Sequence, residues 1–468
     1  MKFENIYSQT SDSQKLKFLD AIIAHNKALM DEFVAFSQAD NQEKSGLSSD
    51  RFLEIVHSTQ SKYRSLFEEV DTENPDWEMY HPPHSGYIEE WEAYQMASEQ
   101  EFEAIFNGFL SLAIDKIIGQ CPAEVMAMLI GLYEATQDAE VTDDVGSFND
   151  VNEYLLEEHI NTLNTLIGKI RLSAIASSTI YTTFELFFEY CTAKYPGDFY
   201  FASHFEQLLL ALAEKTGDAQ QLLSLLNHSG VELQALPELV LLLNKKAGNN
   251  TEWLQSARQF YRGNAPVAKQ LLEYYFERDK DAFVRIAREL FPTDKYLWSE
   301  FLQHYITPQL NEELFVQVFW QLTVRHNNIE YYNRMREYLS ETDLKKLIKE
   351  LNWEKVFVVK ILDVEKRYAD IKAIVEKDAD DWNYAGIIEP ILTVYPEFCF
   401  QHIKNKSINT LDNQRGRDVY QRIAKWLSLA QTIPGFKIET RELIQQLYNH
   451  KPNLPALKDE MRQAGLMG

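Results

Sequence analysis

Apolar residues recur along this chain at helical spacing, and the clearest run lies between Thr251 and Tyr305. Trp253, Leu254, Ala257, Phe260 and Tyr261 share one face, and Val267, Leu271, Leu272 and Tyr275 form a second stripe. Phe283, Ile286, Ala287, Leu290 and Phe291 make a third, and Leu297, Trp298, Phe301, Leu302 and Tyr305 a fourth. Each stripe covers roughly a third of a helix circumference, as expected of a helix that buries one side. The punctuation between them is brief: Gly263-Asn264-Ala265-Pro266, Arg278-Asp279-Lys280-Asp281 and Pro292-Thr293-Asp294. Connections that short turn successive helices back on one another, and stacked hairpins build a superhelix. The pattern predicts an all-α protein, an α-solenoid of stacked antiparallel hairpins of the tetratricopeptide or HEAT kind. No strict sequence period is visible, so the repeats are degenerate.

The same reading extends along the chain. A first helix is expected over Ser13–Phe36, and Ser49 or Asp50 can cap the next, which carries Phe52, Ile55, Val56, Tyr63 and Phe67. A stripe from Phe102 to Ile117 ends at Gly119, and Pro122 suits the first turn of its successor. Further helices are predicted near Val151–Ile167, Tyr181–Ala193, His204–Glu214, Ala219–Asn227 and Leu233–Leu243. Others follow near Glu312–Val324, Ile329–Leu339, Asp343–Leu351 and Ile387–Val394. The run Val356-Phe357-Val358-Val359-Lys360-Ile361 favours strand locally, but a strand without partners is implausible here and the segment is read as helix. Asp412 or Asn413 can cap a helix bearing Val419, Ile423, Trp426, Leu427 and Ala430; Thr440 starts a penultimate helix and Leu457 and Met461 mark a final one. The total is about twenty helices of ordinary length. Besides the polar loop Ala39–Gly46, two stretches break the pattern: Asp71–Gly86, which contains Pro82 and Pro83, and the acidic run from Asp138 to Gly146. The second is the expected boundary between an acidic N-terminal helical region, 1–145, and a helical repeat superhelix, 146–468.

Charge changes the picture. The net charge is −25, and residues 1–160 hold 32 of the 71 acidic residues but only 9 of the 46 basic ones. Such a surface repels nucleic-acid phosphates and anionic membranes and suits a basic protein partner. Cys121, Cys191 and Cys399 are far apart and lie in or beside apolar runs, which fits reduced, buried thiols. No charged-then-apolar leader opens the chain, and no apolar run approaches the length of a membrane span. A cytoplasmic location is expected.

Candidate chemistry is sparse. His81 and His84 flank the two prolines, which preclude the helical geometry of a metal pair. No His-Glu-x-x-His, phosphate-cradling glycine loop or Gly-x-Ser-x-Gly elbow occurs. No catalytic residue, metal or cofactor is assigned. The arginines at 258, 262, 278, 285 and 288 are interleaved with acidic residues and read as ion pairs. One set stands out as a candidate partner-binding site: Trp77, Tyr80, Tyr87, Glu89, Glu90, Trp91 and Tyr94. Aromatic rings among carboxylates could form a groove in which lysine or arginine stacks; alternatively the rings anchor a long loop onto the first helices.

Near the C-terminus, Arg415-Gly416-Arg417-Asp418-Val419-Tyr420, then Ala424-Lys425-Trp426-Leu427, resembles the ending of bacterial SWIM zinc-finger proteins. Leu454-Pro455-Ala456-Leu457-Lys458-Asp459-Glu460-Met461, then Ala464-Gly465-Leu466, looks similar as well. That family carries a long helical region after its finger. The finger itself, a Cys-x-Cys pair followed by Cys-x-His, is missing, so neither zinc nor a nucleic-acid role transfers. The resemblance implies a free-standing bacterial helical repeat region. Together these readings point to a non-enzymatic scaffold or adaptor that binds another protein. The alternatives are a nucleic-acid-linked protein or acidic DNA mimic, and an enzyme with an unrecognised pocket between helices.

Overall fold

Side-chain caps and one-sided burial turn this sequence into a succession of helices. The computed structural model describes residues 47–72, 89–141, 148, 150–377 and 382–467. Among them are twenty-three α-helices, three short 3-10 turns and no strand, so the all-α expectation holds. Packing separates the chain into two units, Met1–Leu271 and Leu272–Gly468. The expected boundary near 145, the predicted first helix and the His81/His84 pair lie outside the described residues.

In the first unit, α1 (Ser49–Glu68) lies along α3 (Pro122–Asp138), and no other pair of helices packs so extensively. Gly131 is the reason. A Cβ there would run into the backbone carbonyl of Val56 and come within 2.8 Å of Thr59 Cβ and 3.0 Å of the Gln60 nitrogen. Only hydrogen fits at this crossing. The cap of α1 is Ser48, one residue earlier than expected, and its hydroxyl accepts from Arg51 N at 3.3 Å. The long α2 (Glu90–Ile118) ends at Gly119, and Pro122 opens α3, as the sequence predicts. Next come α4 (Val151–Leu172), α5 (Ser177–Lys194), α6 (Phe199–His204) and α7 (Glu206–Lys215), then α8 (Ala219–His228), α9 (Pro237–Ala247) and α10 (Asn250–Phe260). Beyond adjacent pairs, helices meet the next but one: α2 packs on α4, α3 on α5 and α7 on α9. The core they close is aromatic, with Phe67, Phe102, Phe109, Phe184, Phe187, Phe201 and Phe205 all buried. Lysines finish two helices from afar. Lys246 Nζ donates to the carbonyls of Ala213, Glu214 and Thr216 at 2.8–2.9 Å, and Lys215 Nζ to that of Arg171. Both satisfy terminal carbonyls that a helix leaves open.

α11 (Ala265–Arg278) leads into the second unit: α12 (Lys280–Leu290), α13 (Lys295–Leu302), α14 (Pro308–His326), α15 (Ile329–Met335), α16 (Glu341–Glu350), α17 (Lys355–Val364) and α18 (Tyr368–Lys377). α19 (Tyr384–Ile388), α20 (Pro396–Asn413), α21 (Arg417–Ala430), α22 (Lys437–Tyr448) and α23 (Pro455–Gln463) complete it. A register appears here that the sequence hid. Asp279 and Ser340 cap α12 and α16, and Asn311, itself non-helical at φ −162°, caps the long arm of α14. Each accepts a backbone N–H three residues on: Ala282 at 3.0 Å, Leu314 at 2.8 Å and Asp343 at 3.2 Å. Counting from each cap, the fourth residue is Phe283, Phe315 or Leu344, and the seventh is Ile286, Val318 or Leu347. The eleventh is Leu290, Leu322 or Leu351, and all nine are buried. The caps mark a degenerate repeat of about thirty residues. Within it, α12 packs on α14, α14 on α16 and α17 on α19.

Several expectations are corrected. Val356–Ile361 does form helix, but Asp412 and Asn413 are the last residues of α20, not the cap of α21. The cap position is Gly416, at φ 136°, where a Cβ would press within 3.0 Å of Asp418 Oδ1. α20 is hidden in the sequence because buried Lys406 and Ser407 interrupt its apolar stripe. The two C-terminal blocks that carried the resemblance meet in space: Arg417 Nε binds Glu460 Oε1 at 2.6 Å.

Candidate functional site

The expected aromatic and acidic set falls only partly within view. Trp77, Tyr80 and Tyr87 lie outside the described residues, as does the side chain of Glu90. Glu89 occupies the cap position of α2, and Trp91 and Tyr94 are on its first turns. Trp91 is 44% exposed and donates its indole N–H to Glu89 Oε2 at 2.7 Å. The Glu89 backbone N–H is returned to Glu92 Oε2 at 3.2 Å. These carboxylates therefore serve a helix N-terminus, where negative charge is favoured.

Sequence reasoning missed a buried polar centre in the first unit. Glu134 sits mid-helix on α3, flanked by Ile130, Leu132 and Ala135, and is 2% exposed. Its Oε1 accepts from Tyr190 Oη, from Tyr195 Oη at 2.8 Å and from Lys194 Nζ at 2.6 Å. Burial and the hydrogen bond to Glu134 push both phenols well above the usual tyrosine range. One carboxylate thus ties α3 to the end of α5, and the charge is balanced by Lys194. A lone Glu inside an apolar run was the legible signal.

Beside it lies a histidine pair. His159 Nε2 is 3.0 Å from the Leu129 carbonyl, and His204 Nε2 is 3.0 Å from His159 Nδ1. A carbonyl can only accept, so His159 carries its proton on Nε2 and accepts at Nδ1 from His204 Nε2–H. The lone pair left over is His204 Nδ1. The Tyr133 ring lies 4.6 Å from that of His204. Burial, then the neighbouring imidazole, drives His159 down to about 3, and burial drives His204 down to about 4. Both rings are neutral near pH 7. No cluster of three or more His, Cys, Asp or Glu able to hold a metal occurs among the described residues.

The second unit presents a different feature. Trp353 is 83% and Trp382 68% exposed. Each stands two residues before a helix, α17 and α19 respectively. A Cβ on Gly386 would touch Val356 Cγ1 at 3.5 Å, so the first turns of these two helices lie side by side. The tryptophans therefore hold equivalent positions just before two neighbouring helices. Arg422 from α21 lies over the Trp382 ring, 4.6 Å from its centroid. Nearby Lys406 sits over the rings of Tyr384 and Trp426.

No family model, curated protein or solved structure matches the chain. The fold defines a class: an all-α protein of capped helices with one-sided burial. No helix among the described residues is long and apolar enough to cross a membrane.

Proposed function

We propose that the protein is a non-enzymatic scaffold that docks a partner protein on the edge carrying Trp353 and Trp382. The observation that supports this most directly is the exposure of two tryptophans at equivalent places on neighbouring helices. A large aromatic left in water loses the benefit of burial, about 25 cal/mol per Å2 of apolar surface. Tryptophan is also the residue most enriched among interface hot spots. Helical repeats present successive side chains along one edge, which suits an extended partner. The acidic excess of residues 1–160 favours a partner with a basic surface by steering its approach, and it disfavours phosphate backbones. The test is capture from native lysate at low and moderate salt with the wild type and with W353A/W382A. A retained protein set that the double variant loses supports the scaffold. An identical set on both, or none on the wild type, contradicts it.

A further inference from the structure

A cavity of about 440 Å3 opens in the first unit, within the roughly 300–1,000 Å3 typical of ligand sites. Phe199 and Ser203 of α6, Glu206 at the start of α7 and Gln234 before α9 line one part of it; Gln259 and Phe260 of α10 line another. No lysine, arginine or histidine lines it. Glu206 is 6% exposed. Its Oε1 accepts the backbone N–H groups of Glu238 at 2.7 Å and Leu239 at 3.0 Å, so it caps α9. Among the described residues its Oε2 has no hydrogen-bond partner, and it is not sealed off from solvent. A carboxylate almost out of water, with one oxygen unengaged beside two phenylalanine rings and the amides of Gln234, Gln259 and Asn264, is half of a recognition site. The missing half is a flat cation with several N–H donors.

We propose that this cavity binds a guanidinium group, with Oε2 of Glu206 taking its N–H donors and a phenylalanine ring its face. An ammonium ion is a point charge that keeps its water. Guanidinium is planar and weakly hydrated, and it matches both a carboxylate and an aromatic face. The Gln234 and Gln259 side-chain oxygens can accept its remaining N–H groups. Burial holds the Glu206 carboxyl up at about 7, Glu238 adds to the effect, and the two backbone N–H groups oppose it. A bound cation would offset the cost of burying the charge and fix the ionised form.

The test is calorimetric titration of the full chain with N-acetyl-arginine N-methylamide and with the citrulline analogue, its neutral isostere. The arginine probe should bind at least tenfold tighter. E206Q keeps an oxygen to accept from Glu238 and Leu239, so α9 stays capped, and it should lose that preference. E157Q, exposed on α4 and outside the lining, should stay within twofold of the wild type. F260L, which keeps an apolar wall, should weaken the arginine probe severalfold and provides the second reading if E206Q does not fold. Agmatine distinguishes the source. Tighter binding than the capped residue points to a free guanidine compound, and weaker binding to an arginine in a peptide; both keep the site. Equal affinity for arginine and citrulline probes, or undiminished arginine binding by both E206Q and F260L, overturns it.

Discussion

The two units solve one problem with different emphasis. The first fixes its helices with polar groups sunk in the core: Glu134 under three donors, the His159–His204 pair, and Glu206 capping α9 across the fold. The second leans on caps recurring at Asp279, Asp294, Asn311, Asn328 and Ser340, and three of its buried polar groups, Lys406, Ser407 and Glu460, gather near its C-terminal end. Buried groups of the first kind are sensitive to pH and to loss of a single partner. Caps are individually modest and act additively along a repeat. The difference teaches where each unit is vulnerable.

The comparison breaks most sharply at α3. E134A strands the Tyr190 and Tyr195 hydroxyls in the core and should destabilise the first unit by about 3–4 kcal/mol in urea unfolding. A loss below ~1 kcal/mol would mean that the buried tie is dispensable. G131A should follow closely, at about 2–3 kcal/mol, because the added methyl meets Val56 and Thr59 backbone and side-chain atoms that cannot retreat. In the second unit, D294A removes one cap and should lose only about 1 kcal/mol. R288A, which breaks an exposed pair with Glu313, should change stability by less than ~0.5 kcal/mol.

Acidity sharpens the contrast with two signs. His159 and His204 are depressed, so the stability they contribute is present above pH 6.5 and is lost as pH falls toward about 4 and then 3. Glu206 is raised, so its contribution is present below pH 4.5 and is lost as pH rises through about 7. Hydrogen exchange should therefore show α4 and α6 opening first on acidification. The stability of E206Q relative to wild type should grow between pH 5 and pH 8. A pH-independent difference would leave Glu206 with no part in this behaviour.

Much of the helical pattern was legible because burial on one face writes a period into the sequence. The stripes at Trp253–Tyr261 and Phe283–Phe291 correspond to α10 and α12: Phe283, Ile286, Ala287, Leu290 and Phe291 are all buried, while in the first stripe Trp253, Ala257 and Tyr261 are buried and Leu254 and Phe260 are half-buried. α20 was illegible because Lys406 is buried over aromatic rings and mimics a surface position. The thirty-residue register is hard to see because its constant element is a cap of changing identity, Asp, Asn or Ser, rather than one residue type. The histidine pair joins positions 45 apart on different helices, and no local pattern announces such a meeting. Trp353 and Trp382 do not stand out because single exposed aromatics carry no periodicity.

The scaffold role is tested most directly by a hydrogen-exchange footprint of the purified protein with its captured partner bound. Slowed exchange should concentrate in residues 352–356 and 382–386, the adjoining first turns of α17 and α19. A bound partner that leaves both segments exchanging as in the free protein would contradict it.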